Sequence, residues 1–421
     1  MILDSHYLIL NTHMKHKKKQ NTTQIKQEQL HQRNLFYKKM QQTMALLGDA
    51  SAFGLLNKQQ LENMFYFRLR PYKIIAQNNS KQKNLAKHLE FMNIVLSDNL
   101  HRSFIEIGEN KVRFSLYDFR VYVESLNIFW LILNENRSES EARFKACFPL
   151  FKDNFLETRA HVLTDVQKHI YNIARINSDI AKRIIRFVPE PKIKSLTGSN
   201  SLCHDNYILI EHKPETETLE IDGHRRSIYR VFIVTYSEFI PLTILPEKLG
   251  IDGLLQKNPL KVFIQMHALE RIETRLGKLF REYSYPYITV ALNRADFIPT
   301  DKENSFLLPV ENGISRLGYL KADVIDDKLV IRTFLFLTNN GTPEGKKLNQ
   351  LVGLQKADKK YLGIDKLSTF IQSDIKNDEK LKALFYEAGC GDLFKLDKTG
   401  LDDQSDKVLA TAQYIAKYLG I

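Results

Sequence analysis

Apolar residues in the first half of the chain recur at helical spacing. Leu85, Leu89, Met92 and Leu96 follow one another by four, three and four residues, which is one face of a helix over Ser80 to Leu96. Asn57 stands where an N-cap belongs, before a helix reaching Leu69 and closed off by Pro71. A hairpin is expected next, Phe104–Ile107 returning through Val112–Leu116 about the turn Gly108-Glu109-Asn110. Tyr117 to Leu133 holds Trp130 and is apolar on every side, so it reads as the core of a helical domain. Asp153 to Val188 reads as one long helix or two, ended by Pro189 and Pro191.

From Pro189 to Asn206 the periodicity vanishes and Pro, Gly, Ser and Asn cluster, the signature of an exposed linker. Beyond it the period shortens. Tyr207–His212, Thr218–Ile221 and Ile228–Tyr236 read as strands, with turns at Lys213-Pro214-Glu215 and Asp222-Gly223. A helix over about Leu260 to Tyr283 interrupts them, and strands resume at Tyr287–Leu292, Leu317–Ile325 and Leu329–Leu337. Thr342 and Pro343 suit the N-cap and first position of a further helix, and the chain from there to its end looks helical and polar. The expected class is α+β: an N-terminal mainly helical domain, then a mixed or antiparallel β-sheet domain with a packed amphipathic helix. The expected divisions are a basic, flexible tail over 1–50, the helical domain over 51–190, the β-rich domain over 207–350 and a C-terminal helical segment over 351–421.

Composition narrows the class. Among 421 residues, 43% are hydrophobic and 26% charged, enough for a core and against a chain disordered throughout. The net charge of +12 favours anionic partners, nucleic acid before acidic membrane. Three cysteines, Cys147, Cys203 and Cys390, form no CxxC pair, so a reducing cytoplasm is the expected setting. The apolar run Ile128–Leu133 is far too short for a membrane span, and the opening MILDSHYLIL does not carry its charges in the order of an export signal. Cys203-His204-Asp205, His212 and His224 offer no pair at metal-ligand spacing on one element, so neither metal nor cofactor is expected. Gly223-His224-Arg225-Arg226 reads as a solvated basic turn rather than a phosphate loop. No Walker loop, GxGxxG fingerprint, GxSxG elbow or HExxH is found.

One segment is placed to carry chemistry: Phe263 to Phe280, read as a single helix. At about 100° per residue, Leu269, Ile272, Leu276 and Leu279 fall in a sector of about 80°. The same rotation, counted from His267, puts Lys278 at about 20°, Arg271 at about 40° and Arg275 at about 80°, all on the adjoining face. An imidazole among three cations suits a phosphate backbone or its transition state. The plain alternative is an amphipathic helix whose wet side is basic, with Glu270 and Glu273 pairing to neighbouring cations.

His267-Ala268-Leu269-Glu270-Arg271, with Arg275 four residues on and strands after it, resembles the HAxxR helix of small RelE-like domains. The resemblance spans about residues 260–340, with Arg332-Thr333 on a later strand and a long insertion-like stretch from Arg294 to Ser315. It implies a compact helix-plus-sheet unit and a metal-independent toxin-like endoribonuclease, with His267 as base and Arg332 as a second catalytic residue. Arg271, Arg275, Lys278, Tyr319 and Lys321 would then bind substrate; by strand alternation Tyr319 and Lys321 share a face. The expected partners are nucleic acid, RNA before DNA, and a neutralising protein, with no membrane. The other reading is a non-enzymatic nucleic-acid-binding or protein-interaction protein on the same scaffold.

Overall fold

A computed structural model describes residues 22–77, 85–134, 137–152, 155–190, 192–196, 199–203, 205–251, 258–313, 315–396 and 411–420. The basic run Lys15–Lys19, the start of the helix expected from Ser80, and His204 lie outside the described residues. The chain is α+β, with helices first and sheets after them. It divides into a helical unit, Leu8–Ile173 with Phe187–Ile210, and a sheet unit formed chiefly by Ala174–Arg186 with Glu211–Ile421. Among the described residues no helix is long and apolar enough to cross a membrane.

In the helical unit, the segment expected to trail as a basic tail forms a helix over Thr22–Leu47. Phe36, Met40 and Met44 recur every four residues along it and are buried. This narrow apolar stripe anchors a helix whose remaining surface is largely exposed. Asn57 caps Lys58–Phe67 as expected, its side chain accepting from the Gln60 amide at 2.9 Å while Gln60 reaches back to the Asn57 amide. The expected hairpin forms, Phe104–Ile107 pairing antiparallel with Val112–Ser115. Trp130 lies in the buried helix Glu124–Ile132 and donates to the Lys145 carbonyl at 3.1 Å. The expected linker differs: Lys192–Leu196 and Ser199–Cys203 pair as an antiparallel hairpin. The long helix beyond Asp153 also stops sooner, at Ile176, and Ile184–Pro189 is a strand.

The sheet unit is organised on β1 (Thr216–Ile221), β2 (His224–Arg230), β3 (Thr243–Ile244), β4 (Leu260–Gln265), β5 (Ile298–Pro299), β6 (Ser305–Asn312), β7 (Ser315–Ile325) and β8 (Lys328–Phe336). Their order across the sheet is β5-β6-β7-β8-β4-β2-β1, with β3 paired to β4. The contact between β4 and β8 is parallel and the others are antiparallel.

Three expectations are corrected here. Leu260–Gln265 is a central strand rather than the start of a helix, because Val262, Phe263 and Ile264 are buried between strands on both sides. A short apolar run is compatible with either state until its neighbours are known. The helix proper, α1, is Met266–Leu276, and it buries Ala268, Leu269, Ile272 and Leu276. Gly277 ends it at φ 105°, ψ 166°, backbone open to glycine alone. A separate short helix, α2 (Lys278–Glu282), follows. Tyr287–Leu292, expected as a strand, lies within α3 (Ser284–Arg294), where Tyr285, Ile288, Ala291 and Leu292 form a helical stripe that is buried. The stretch read as an insertion contains β6, whose Phe306, Leu307, Leu308 and Val310 are core residues.

Candidate functional site

The sheet unit holds a cavity of about 390 Å³ walled by residues from β1, β2, β4, β7 and β8, the first turn of α1, and Lys302 from the connection between β5 and β6. Beneath it Ile221, Ile228, Phe263 and Val330 pack as an apolar cluster with Ile325 against them. Alternation along β2 puts His224, Arg226 and Ile228 on one face, and along β7 it does the same for Lys321, Asp323 and Ile325. The strand face is therefore apolar at one end and becomes the charged wall of the cavity at the other.

His267 enters from the first turn of α1. Its Nε2 accepts from Arg271 Nε at 3.3 Å, a contact made only by the tautomer with its proton on Nδ1. Nδ1 lies 3.8 Å from Glu270 Oε2. Desolvation, then the Arg271 charge, hold the imidazole below its ordinary 6.5, with Arg226 and Arg275 adding to them and Glu270 opposing. The shift favours the unprotonated ring.

Gln265 occupies the N-cap position of α1 without making a side-chain capping bond, and the first turn of the helix contains no acidic residue. The peptide N–H groups there carry the positive end of the helix dipole towards a cavity that Gln265 and His267 both line. Gln265 is 6% exposed, and its amide nitrogen has no hydrogen-bond partner.

The register between β7 and β8 shifts where Lys321 opposes Thr333 and Ala322 opposes Ile331, which leaves Arg332 as the extra residue of a bulge. Its terminal nitrogens donate to Asp323 Oδ2 at 2.7 Å and to Asp222 Oδ2 at 2.6 Å. Lys302 Nζ stands 3.5 Å from the same oxygen of Asp323. Asp323 Oδ1 is buried without a partner. The hydrogen bond and charge of Arg332 hold the Asp222 carboxyl below its usual range. Arg226 and Lys321 are in no ion pair within 4.0 Å among the described residues, although the Lys321 charge is felt at Asp222. Four cations and two carboxylates face the cavity, so its walls are positive overall.

Of the residues singled out from the sequence, His267, Lys321 and Arg332 come together at this cavity. Arg271 reaches it only through His267. Arg275 does not line it: the guanidinium is turned onto the sheet, donating to the Phe334 carbonyl, and burial lowers its pKa to about 10. Lys278 is exposed beyond the Gly277 break, so it is not part of the α1 stripe. Tyr319 is buried apart from the cavity and donates to Glu344 Oε1 at 2.7 Å. Desolvation, then Glu344, push its hydroxyl pKa up. His224, Arg226, Gln265, Lys302 and Asp323 were not assigned to the site from the sequence, although the Asp222-Gly223-His224 turn offered a signal. Asp222 and Gly223 both have positive φ, 52° and 73°, and this two-residue hairpin turn sets His224 at the cavity wall. Among the described residues no group of three or more His, Cys, Asp or Glu side chains is arranged to hold a metal ion. No protein-family model, curated protein or solved structure matches the chain.

Proposed function

We propose that the sheet unit is a metal-independent endoribonuclease of RelE-like type. The observation that carries the reading is the meeting, in one cavity, of an imidazole held below its ordinary pKa with unpaired cations and an uncapped helix N-terminus. Strand cleavage by transesterification needs a base for the 2′-hydroxyl, positive charge for the pentacovalent phosphate, and an acid for the departing 5′-oxygen. In this proposal His267 Nε2 takes the 2′-proton once substrate displaces Arg271 from it. Arg226, Lys321 and the first peptide N–H groups of α1 stabilise the phosphorane. His224, the second imidazole on the wall, returns a proton to the leaving oxygen. Arg332, held by two carboxylates, positions Asp323 and contributes charge rather than a free guanidinium. The proposal extends to a cytoplasmic setting, and to a protein partner whose acidic surface neutralises the cavity.

The test is cleavage of single-stranded RNA by the full chain, beside the matching DNA and in the presence of chelator. RNA should be cut, DNA left whole, and chelator should have no effect. His267→Ala should lower the rate on the order of 10²- to 10⁴-fold while circular dichroism stays unchanged. Cleavage of DNA at the same rate, or full activity in His267→Ala, would end the reading. Salt-sensitive RNA binding without cleavage would instead favour a non-enzymatic RNA-binding protein.

A further inference from the structure

We infer that Tyr361, Tyr414 and Tyr418 form a stacking platform for the bases of a single-stranded nucleic acid, a second binding surface of the sheet unit outside the cavity. That the strand is RNA rests on the reading above. Tyr361 ends helix α4 (Lys356–Tyr361), and Tyr414 and Tyr418 stand on helix α5 (Ala412–Leu419). The Tyr361 ring lies 6.3 Å from that of Tyr414 and 5.9 Å from that of Tyr418, centroid to centroid. The rings are tilted by 54° and 43°, so neither neighbour lies flat over Tyr361. The three residues are 66%, 44% and 47% exposed. Single exposed aromatics are ordinary, whereas a contiguous group of them marks a binding surface.

The polar ends of the three side chains are already occupied. The Tyr361 and Tyr414 hydroxyls bond to each other at 2.6 Å, and Tyr418 donates to Asp358 Oδ1 at 2.8 Å. The second oxygen of Asp358 accepts from the Gln355 amide at 2.7 Å, which ties the same carboxylate to the start of α4. These bonds hold the rings before a ligand arrives, so less freedom is lost on binding. What remains for a partner is ring surface, and every base presents a face to stack on it.

The surrounding charge selects the partner. Lys356, Lys360 and Lys417 are exposed and in no ion pair within 4.0 Å among the described residues. At about 100° per residue, Tyr414, Lys417 and Tyr418 share a sector of about 100° on α5. Asp374 and Asp378 line a hollow with Ala412, Gln413 and Ala416, which the same rotation places on the opposite side of α5, with Lys417 at the boundary. Aromatic rings beside uncommitted lysines fit a strand of bases and phosphates. Protein interfaces, by contrast, are depleted in lysine.

A deoxythymidine oligomer of about ten nucleotides tests this without turnover, since it presents bases and phosphates but no 2′-hydroxyl. In fluorescence anisotropy with the full chain it should bind at least about fivefold tighter than an abasic strand of equal length, the low end for one stacked base. Tyr361→Ala should weaken the oligomer by about the same factor, whereas Tyr361→Phe, which keeps the ring, should stay within about twofold of the unaltered chain. Lys360→Gln combined with Lys417→Gln should flatten the slope of log affinity against log salt by about 1.4. A strand carrying iododeoxyuridine, irradiated in complex with the unaltered chain, should cross-link to one of the three tyrosines, which reads the surface even if a variant fails to fold. Equally tight binding of the abasic strand, an unchanged affinity in Tyr361→Ala, or cross-links confined to other residues would overturn the inference. Tyrosine cross-links in a chain that cuts no RNA would retire the ribonuclease reading and leave the platform standing. RNA cleavage by a chain whose cross-links avoid the tyrosines would do the reverse.

Discussion

Arg332 and Asp323 meet at 2.7 Å across a bulge that no regular register of β7 and β8 would produce. The side chains are 18% and 7% exposed, so the pair is largely shielded from water. Removing one partner leaves a buried charge behind. Arg332→Ala should therefore destabilise the sheet unit by about 2–4 kcal/mol, read as a shifted denaturant midpoint. Asp222→Asn removes only the charge of the exposed partner of the same arginine, keeps a residue that accepts the positive φ of the turn, and should leave the midpoint nearly unchanged. Equal losses in the two variants would show that burial does not set the strength of this pair.

The depressed pKa of His267 predicts an acid limb of the pH–rate profile below pH 6.5. Desolvation is the first cause and Arg271 the second, so Arg271→Ala should move the limb partway back, and Glu270→Gln should move it further down. Because the folded imidazole resists protonation, the stability it contributes is present above pH 6.5 and is lost as pH falls through its folded pKa. NMR titration of the His267 ring in the full chain measures the shift independently of activity. A value at or above 6.5 would remove the argument for a neutral base.

Arg275→Met should lower stability while barely altering the affinity for RNA, since that guanidinium is spent on the Phe334 carbonyl. Arg226→Met should show the opposite pattern, and loss of one phosphate contact should reduce the salt dependence of binding by about one counterion. Filter binding at several salt concentrations separates the two.

Lys359 supplies a pH test elsewhere in the sheet unit. It is buried, donates to Gly345 O at 2.8 Å, and desolvation brings its ammonium down from 10.5 to about 8. Between those two values the unfolded chain holds a proton that the folded chain has released, so stability should rise with pH across that window. The gain, relative to Lys359→Met, should be at most about 3 kcal/mol. Parallel stability curves for the two proteins across that window would contradict it.

Gly277 ends α1 at φ 105°, ψ 166°. Gly277→Ala should cost about 1–3 kcal/mol, and the loss should appear as a lowered melting temperature. An unchanged melting temperature would mean that the helix ends there without need of glycine.

Local chemistry was legible in the chain wherever one element settles its own form. Asn57 and Thr342 are caps because each side chain bonds to an amide three residues on. The Asp222-Gly223 turn follows from residues that accept positive φ, and the buried face of α1 from a repeat of apolar residues. The sequence also marked His267, Lys321 and Arg332, which meet at the cavity. Tertiary structure decided the remainder. Val262-Phe263-Ile264 is a strand because β2 and β8 satisfy its backbone on both sides, and that pairing joins segments far apart in the chain. A helical wheel carried through Gly277 could not show that Lys278 departs from the stripe, nor that Arg275 turns onto the sheet. His224, Gln265, Lys302 and Asp323 come from separate elements, and the order of strands across the sheet brings them to one wall. Periodicity records how each element faces its neighbours; the bulge at Arg332 and the unpaired atoms of Gln265 and Asp323 arise only when those neighbours are in place.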